Sequence, residues 1–156
     1  MHWPTYPQTG IKAHQLTTLS APTIAMLSPQ ITKPASLGAL ANPYGTKSVD
    51  LRARAYLHTN CAMCHRPGGS TPVALNLLAS TPLAATNTCD VTPTKGTLGL
   101  PNARIVAPGA PDSSVLLARV NSREPLVQMP PMGSHVIDTA GVQLLRQWIT
   151  ELPGCS

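Results

Sequence analysis

Three segments of the chain carry hydrophobic residues at helical spacing, and the first follows Ser48, a residue type that caps helix N-termini. This segment predicts a helix that begins at Ser48, carries residues 61–65 at its C-terminal end and stops at the Pro-Gly-Gly sequence of residues 67–69. The pattern places Arg52 and Arg54 on the solvent side. The apolar face consists of Val49, Ala53, Tyr56, Leu57 and Cys61.

The other two segments lie near the C-terminal end of the chain. One helix is predicted to begin with Pro111, because Pro is favoured at the first helical position. The last is predicted to begin at Asp138 or Thr139 and to end at residues 153–154. Residues 12–20 can form one short further helix. We therefore expect a mainly α fold of three to four helices with little strand.

The rest of the chain divides into a long extension and a long internal loop. Residues 1–47 are rich in Pro, Thr, Ser and Ala and lack the apolar periodicity needed to fold alone, so they predict an extension that packs on the domain or on a neighbour. Residues 48–156 form the predicted domain. Within it, residues 66–109 read largely as loop, and so long a loop in a compact domain is normally functional or wrapped around something.

The composition indicates that something other than aromatic side chains fills the core. The chain has 156 residues, enough for one domain, yet only two Trp, three Tyr and no Phe. Its 42% hydrophobic and 11% charged content argues against disorder. No apolar run approaches the roughly 18 residues needed to span a bilayer, so no membrane span is expected.

The charged residues are dispersed along the chain. Eleven Lys and Arg against six Asp and Glu give a formal net charge of +5, but no basic stripe with interleaved aromatics suggests a nucleic-acid partner. No pair of carboxylates suggests acid–base catalysis. A diffuse positive field favours association with an acidic protein surface.

The sequence Cys61-Ala-Met-Cys64-His65 is the attachment signature of a c-type haem. Two thiols on one turn can add to the vinyl groups at one porphyrin edge, and the adjacent imidazole then lies under the iron. A structural zinc site would need a second ligand pair at short spacing, which the sequence lacks. A thioredoxin-like dithiol would follow a strand, whereas this pair follows a predicted helix. Reduced, inert thiols in a chance match are the remaining alternative.

Three stretches carry a family resemblance, and they occur in the family's order. They read YLHTNCAMCHRPGG at residues 56–69, ARIVAPGAPDSSVLL at residues 103–117 and MPPMGSHVIDTAGVQLLRQWI at residues 129–149. The chain from about residue 48 to residue 155 resembles a class I c-type cytochrome, and more narrowly exported bacterial haem proteins with CHRPGG and MPP-x-GS signatures. The resemblance implies the class I cytochrome c fold, with long loops wrapped around one covalent haem c.

The resemblance also bears on where the protein is located and on whether the chain is part of a longer polypeptide. It indicates a periplasmic or otherwise exported protein, although no charged n-region and apolar h-region open the sequence. The signal peptide or upstream region is therefore expected to be absent from this chain. The start of the sequence, YPQTG and HQL, also resembles the segment before the haem domain of longer relatives, which leaves open that Met1 is internal to a longer polypeptide.

The resemblance places Met129 as the sixth iron ligand, opposite His65. A thioether is a soft ligand, and Pro130 and Pro131 stiffen the loop that presents it. This sequence departs from the family pattern at Met132, which is therefore a rival ligand. The histidine alternatives are His135, His58 and His14.

Several further residues are expected to support the haem. Arg66 and Arg104 are candidates for the propionates. Trp148 is expected to pack against the first helix, with a bond from its N–H to a propionate as the alternative. The second ring nitrogen of His65 is expected to bond a backbone carbonyl near Pro67. The leftover thiols form a disulfide if the compartment is oxidising, and these are Cys89 and Cys155.

These features predict a single-electron carrier without substrate chemistry of its own, so not an enzyme. One alternative is a haem enzyme or gas sensor with a displaceable sixth ligand. Another is a fixed subunit of a larger redox complex, for which the resemblance makes a dehydrogenase plausible. The expected partners are redox proteins with acidic docking surfaces.

Overall fold

The computed structural model describes residues 40–132 and 134–156, and in these two ranges it contains three α-helices and no β-strand. Two single 3-10 turns and two isolated β-bridges complete the regular structure. The prediction of a mainly helical fold is confirmed at this level. The short helix predicted at residues 12–20 lies outside the described ranges. The helices are α1 (Val49–Asn60), α2 (Val115–Val120) and α3 (Thr139–Glu151), and the 3-10 turns are Leu83–Ala85 and Pro111–Ser113.

Helix α1 begins as its sequence predicts, since the Ser48 hydroxyl accepts a hydrogen bond from the Leu51 N–H. It ends at Asn60, well before the Pro-Gly-Gly sequence. The N–H groups of residues 61 and 62 both reach back to the carbonyl of Leu57, which closes the last turn. The five-residue cysteine motif therefore lies in the turns that follow the helix, and His65 is held there by a bond from its N–H to the Cys61 carbonyl at 2.9 Å.

Arg54 corrects the prediction that both arginines of α1 face solvent. Its side chain is 7% exposed, and its guanidinium donates to the backbone carbonyls of Leu78 and Thr81. The loop that carries these carbonyls crosses the helix face where solvent was expected. Burial lowers the pKa of Arg54, opposed in part by the nearby carboxylate of Asp50.

The segment after Pro111 also differs from its prediction. Pro111 begins a single 3-10 turn, and the α-helix starts only at Val115. Between them Ser114 is extended, with φ −97° and ψ 107°. Its hydroxyl accepts from the Ala107 N–H and donates to the Ala110 carbonyl. Ser114 also pairs with Arg104 in an isolated bridge, and this pairing with the preceding loop interrupts what sequence alone reads as one helix.

Helices α1 and α3 pack against each other and form the centre of the core. Asp138 caps α3 by accepting from the Gly141 N–H at 3.0 Å. Trp148 of α3 is 2% exposed, and its indole N–H donates to Asp50 in the first turn of α1 at 2.9 Å. The expected packing of Trp148 against the first helix is therefore present. The largest fully buried side chains beside it are Leu57, Leu145 and Ile149.

Cys89 and Cys155 are joined by a disulfide, the pair that the sequence predicted. The link ties the end of the chain to a segment in which Cys89 pairs with Val106 in an isolated bridge. Nearby, the Gly109 N–H donates to the Ile149 carbonyl of α3 at 2.8 Å. The long loop is thus fixed at two places, to α3 itself and to the segment that follows it. Across residues 40–132 and 134–156, the helices are all too short or too polar to cross a bilayer.

Candidate functional site

A cleft with a mainly apolar lining lies between the end of α1, the loop that follows it, and α2. It is an open cleft of about 770 Å³, a volume that includes the solvent at its mouth. The turn at residues 93–96 forms a further wall. The apolar side chains that line the cleft include Val73, Leu75, Leu77, Ile105, Val115, Leu116 and Val120.

A second cleft of about 570 Å³ adjoins the first, and both are lined by Cys61, His65 and Met129. Cys64 and Met132 line the second cleft only. The fold therefore brings together the residues predicted to attach a haem and the two predicted to ligate its iron, although Met129 is distant from the motif in sequence. Cys61 and Cys64 are both thiols, each partly buried.

His65 presents an imidazole suited to metal ligation. Burial lowers its pKa, so the ring is neutral at pH 7 and has a lone pair available. Within the described chain, its buried Nδ1 has no hydrogen-bond partner, so the expected bond to a carbonyl near Pro67 is absent. Residues 66–68 are exposed whereas the Nδ1 atom is buried, so this turn does not enclose the ring nitrogen. The backbone of His65 is held instead by its carbonyl, which accepts from the Leu77 N–H.

The two candidate methionines differ in environment. Met129 is partly buried and lines both clefts, and its N–H donates to the Arg119 carbonyl of α2 at 2.9 Å. Met132 is 77% exposed. An exposed thioether has no wall to hold it against a metal, so the geometry favours Met129 as the ligand.

Of the histidine alternatives, His58 and His135 line neither cleft. His58 is 3% exposed, and its Nδ1 accepts a hydrogen bond from the Ala79 N–H at 3.0 Å, which makes it part of the packing between α1 and the following loop. His135 is exposed. His14 lies outside the described residues.

The predicted propionate ligands do not line the clefts. Arg66 is exposed, and Arg104 pairs with Asp90 at 2.9 Å and donates to the Ala103 carbonyl. The indole N–H of Trp148 is likewise engaged with Asp50, which leaves it no donor for a propionate.

The cations that line the first cleft are instead Lys95 and Arg119, which the sequence analysis missed. Arg119 could have been found from helical spacing, because Val115 lies one turn before it and Val120 directly after it, both on the cleft wall. Lys95 lies in a turn and carries no such signal.

The residues around the Cys-x-x-Cys-His motif can be compared with the ligands that a structural zinc ion or a covalently attached haem needs. A structural zinc ion needs about four ligands, but in the described ranges no three His, Cys, Asp or Glu side chains converge. A haem attached through two thiols needs a neutral imidazole, a second soft ligand and an apolar enclosure, and the partly buried His65 and Met129, which line the same mainly apolar cleft, fit it. Cys61 and Cys64 would hold such a haem, and His65 and Met129 would ligate its iron.

Comparison with known proteins adds no family assignment to this geometry. No protein-family model, curated protein or solved structure matches the chain. The function is therefore argued from the site alone.

Proposed function

We propose that this chain is a monohaem electron-transfer protein of the c type, with haem attached through Cys61 and Cys64 and ligated by His65 and Met129. One observation carries the proposal. Met129 comes from a distant loop to line both clefts that Cys61 and His65 line. A chance Cys-x-x-Cys-His sequence gives no reason for a partly buried methionine to line the same clefts.

The residues of the site have separate tasks in this proposal. The neutral ring of His65 supplies a nitrogen ligand without first losing a proton. Met129 supplies a sulfur ligand on a stretch that Pro130 and Pro131 stiffen. The apolar walls limit access of water. A haem held here would exchange one electron between its ferrous and ferric states, and Met–His ligation favours a higher potential than two histidines do.

The charge and surface of the chain support a transient protein partner. The formal net charge of +5 favours an acidic docking surface, so added salt should weaken association. The exposed thioether of Met132 lies at the second cleft, beside the cysteine motif. An apolar contact at this position would bring a partner close to the site. The donor and acceptor belong to the class of redox proteins, including a dehydrogenase system, and export to the periplasm is part of the proposal.

A redox-titrated absorption spectrum of the protein, produced with a haem-attachment system, tests the proposal. We expect one haem per chain, retained after denaturation, with a Met–His ferric spectrum and a positive midpoint potential. A colourless protein, or one whose thiols bind zinc, contradicts it. Rapid binding of carbon monoxide to the untreated ferrous protein would instead support the haem enzyme or gas sensor.

A further inference from the structure

Arg119 connects the two sides of the first cleft. One guanidinium nitrogen, Nη2, donates to the carbonyl of Lys95 at 2.8 Å, in the turn that forms one wall. The other, Nη1, donates to the carbonyls of Leu126 and Val127 at 3.4 and 3.1 Å, in the stretch that leads to Met129. A planar guanidinium with five donors suits this role, because it can hold several carbonyls in one fixed arrangement.

The backbone of Arg119 contributes a further bond to the same stretch. Its carbonyl accepts from the Met129 N–H at 2.9 Å. Arg119 thus holds the chain at Leu126 and Val127 with its side chain and at Met129 with its backbone. Since Leu126 is 98% exposed, its own side chain contributes almost no packing to this stretch. Hydrogen bonds to Arg119 therefore restrain its position, together with the bonds from the N–H groups of Val127 and Gln128 to the Glu124 carbonyl.

The far side of the methionine loop is held by a second arginine. Arg123 lies in the segment that follows α2, four residues after Arg119, and its Nη2 donates to the Val136 carbonyl at 2.8 Å. The loop that contains Met129 is therefore attached to α2 before the methionine and to the segment after α2 beyond it.

We propose that Arg119 is a positioning residue that holds the Met129 thioether in the cleft, an inference that rests on the proposed function. Arg119 does not touch the iron in this proposal. It acts by keeping the loop closed, so that the sulfur is not readily displaced by a competing ligand. Loss of the guanidinium frees the carbonyls of Lys95, Leu126 and Val127 and lets the loop open.

Cyanide binding to the ferric protein measures this restraint, because cyanide must displace the methionine. We expect R119Q to bind cyanide about tenfold more tightly, since lost hydrogen bonds to a charged group raise the open fraction by about that factor. The near-infrared charge-transfer band of Met-ligated ferric haem should weaken in parallel. R119K keeps the positive charge but lacks the planar guanidinium, so we expect a cyanide affinity between those of the wild-type protein and R119Q.

Arg146 of α3 offers a matched control. It forms a surface ion pair with Asp112 and lines neither cleft. R146Q should leave the cyanide affinity and the near-infrared band unchanged. If R119Q does not fold, R119K carries the test. A wild-type cyanide affinity and band in a folded Arg119 variant, with Met-ligated haem in the wild-type protein, overturns the positioning role and leaves the proposed function intact.

Amide hydrogen exchange tests the restraint independently of the haem. Residues 126–129 should exchange about tenfold faster in the Arg119 variants than in R146Q. Equal exchange in all of them overturns the inference, whether or not the protein proves to bind haem. Absence of haem from the wild-type protein contradicts the proposed function. It also contradicts the proposal that Arg119 holds Met129 in place as an iron ligand.

Discussion

A Cβ atom on Gly141 would lie 2.4 Å from Cε2 of the Tyr56 ring. Gly141 is in the first turn of α3, and Tyr56 is in the middle of α1 and 5% exposed. The ring therefore occupies the space that any other side chain at position 141 would need. This contact lets the N-terminal end of α3 approach α1 closely, and α3 carries Trp148 to the carboxylate of Asp50.

Gly141→Ala should lower the free energy of unfolding by about 1–3 kcal/mol, because overpacking at a buried contact forces the helices apart. Helix propensity alone predicts the opposite sign, since Ala is favoured over Gly by about 1 kcal/mol inside a helix. Urea unfolding followed by circular dichroism measures the change. Gln143→Ala, at an exposed position of the same helix, is the control and should have little effect. Partial restoration of stability in Gly141→Ala by Tyr56→Leu would identify the ring as the cause, whereas a stabilised Gly141→Ala protein would contradict the packing.

Alkaline pH should destabilise the fold through two tyrosines near Asp138. Burial, and then the Asp138 carboxylate, raise the pKa of Tyr56 and of Tyr44 above the ordinary 10.0, and the Tyr44 hydroxyl donates to Asp138. The folded state keeps these protons at a pH where unfolded tyrosines lose theirs. The unfolded state then binds fewer protons, so the free energy of unfolding falls as pH rises through about 10.

Urea unfolding at a series of pH values between 8 and 11, as an approximate range around the ordinary tyrosine pKa, measures this dependence. Tyr44→Phe and Tyr56→Phe should each flatten the decline, because the replaced group no longer titrates. Lysines titrate in the same range but are common to all the proteins, so the difference between curves isolates the tyrosines. Parallel curves for variant and wild-type proteins would show that neither tyrosine contributes.

Met129→Ala should remove a ligand of the haem iron, whereas Met132→Ala should leave the ligation of the iron unchanged. We expect Met129→Ala to lose the near-infrared band and to lower the midpoint potential by on the order of 0.1 V, a fraction of the roughly 0.8 V over which axial ligands set haem potentials. Met132 is 77% exposed, so its replacement should leave both quantities close to those of the wild-type protein. Redox titration of the two variants gives the comparison. The reverse pattern would assign the ligand to Met132.

Residue types and short-range spacing correctly predicted where α1 and α3 begin. Ser48 and Asp138 cap α1 and α3 as their residue types suggest, because a cap needs only its own side chain and the next turn of backbone. The spacing of Cys61, Cys64 and His65 is likewise a local property. The Cys89–Cys155 pair could be proposed without a structure because few cysteines remained to pair.

Local signals failed where a distant segment supplies the partner. Arg54 has the sequence pattern of a solvent-facing residue, yet the carbonyls of Leu78 and Thr81 bury it. Ser114 has no helix-breaking residue beside it, but it pairs with Arg104, ten residues earlier, in an isolated bridge and is therefore extended. Arg104 was favoured for its place in a motif, and its pairing with Asp90 depends on the bridge region of the fold.

The sequence by itself determined where α1 and α3 begin, which cysteines form the Cys-x-x-Cys-His motif and that the core is poor in aromatic rings, because each follows from residue type and short spacing. Only the tertiary structure decided that Met129 and His65 line the same cleft. It also decided that the Arg119 guanidinium donates to the carbonyls of Lys95 and Val127. Those relations depend on how the long loops cross the helices. Backbone carbonyls are the same at every residue, so no sequence pattern marks which of them a buried guanidinium will reach.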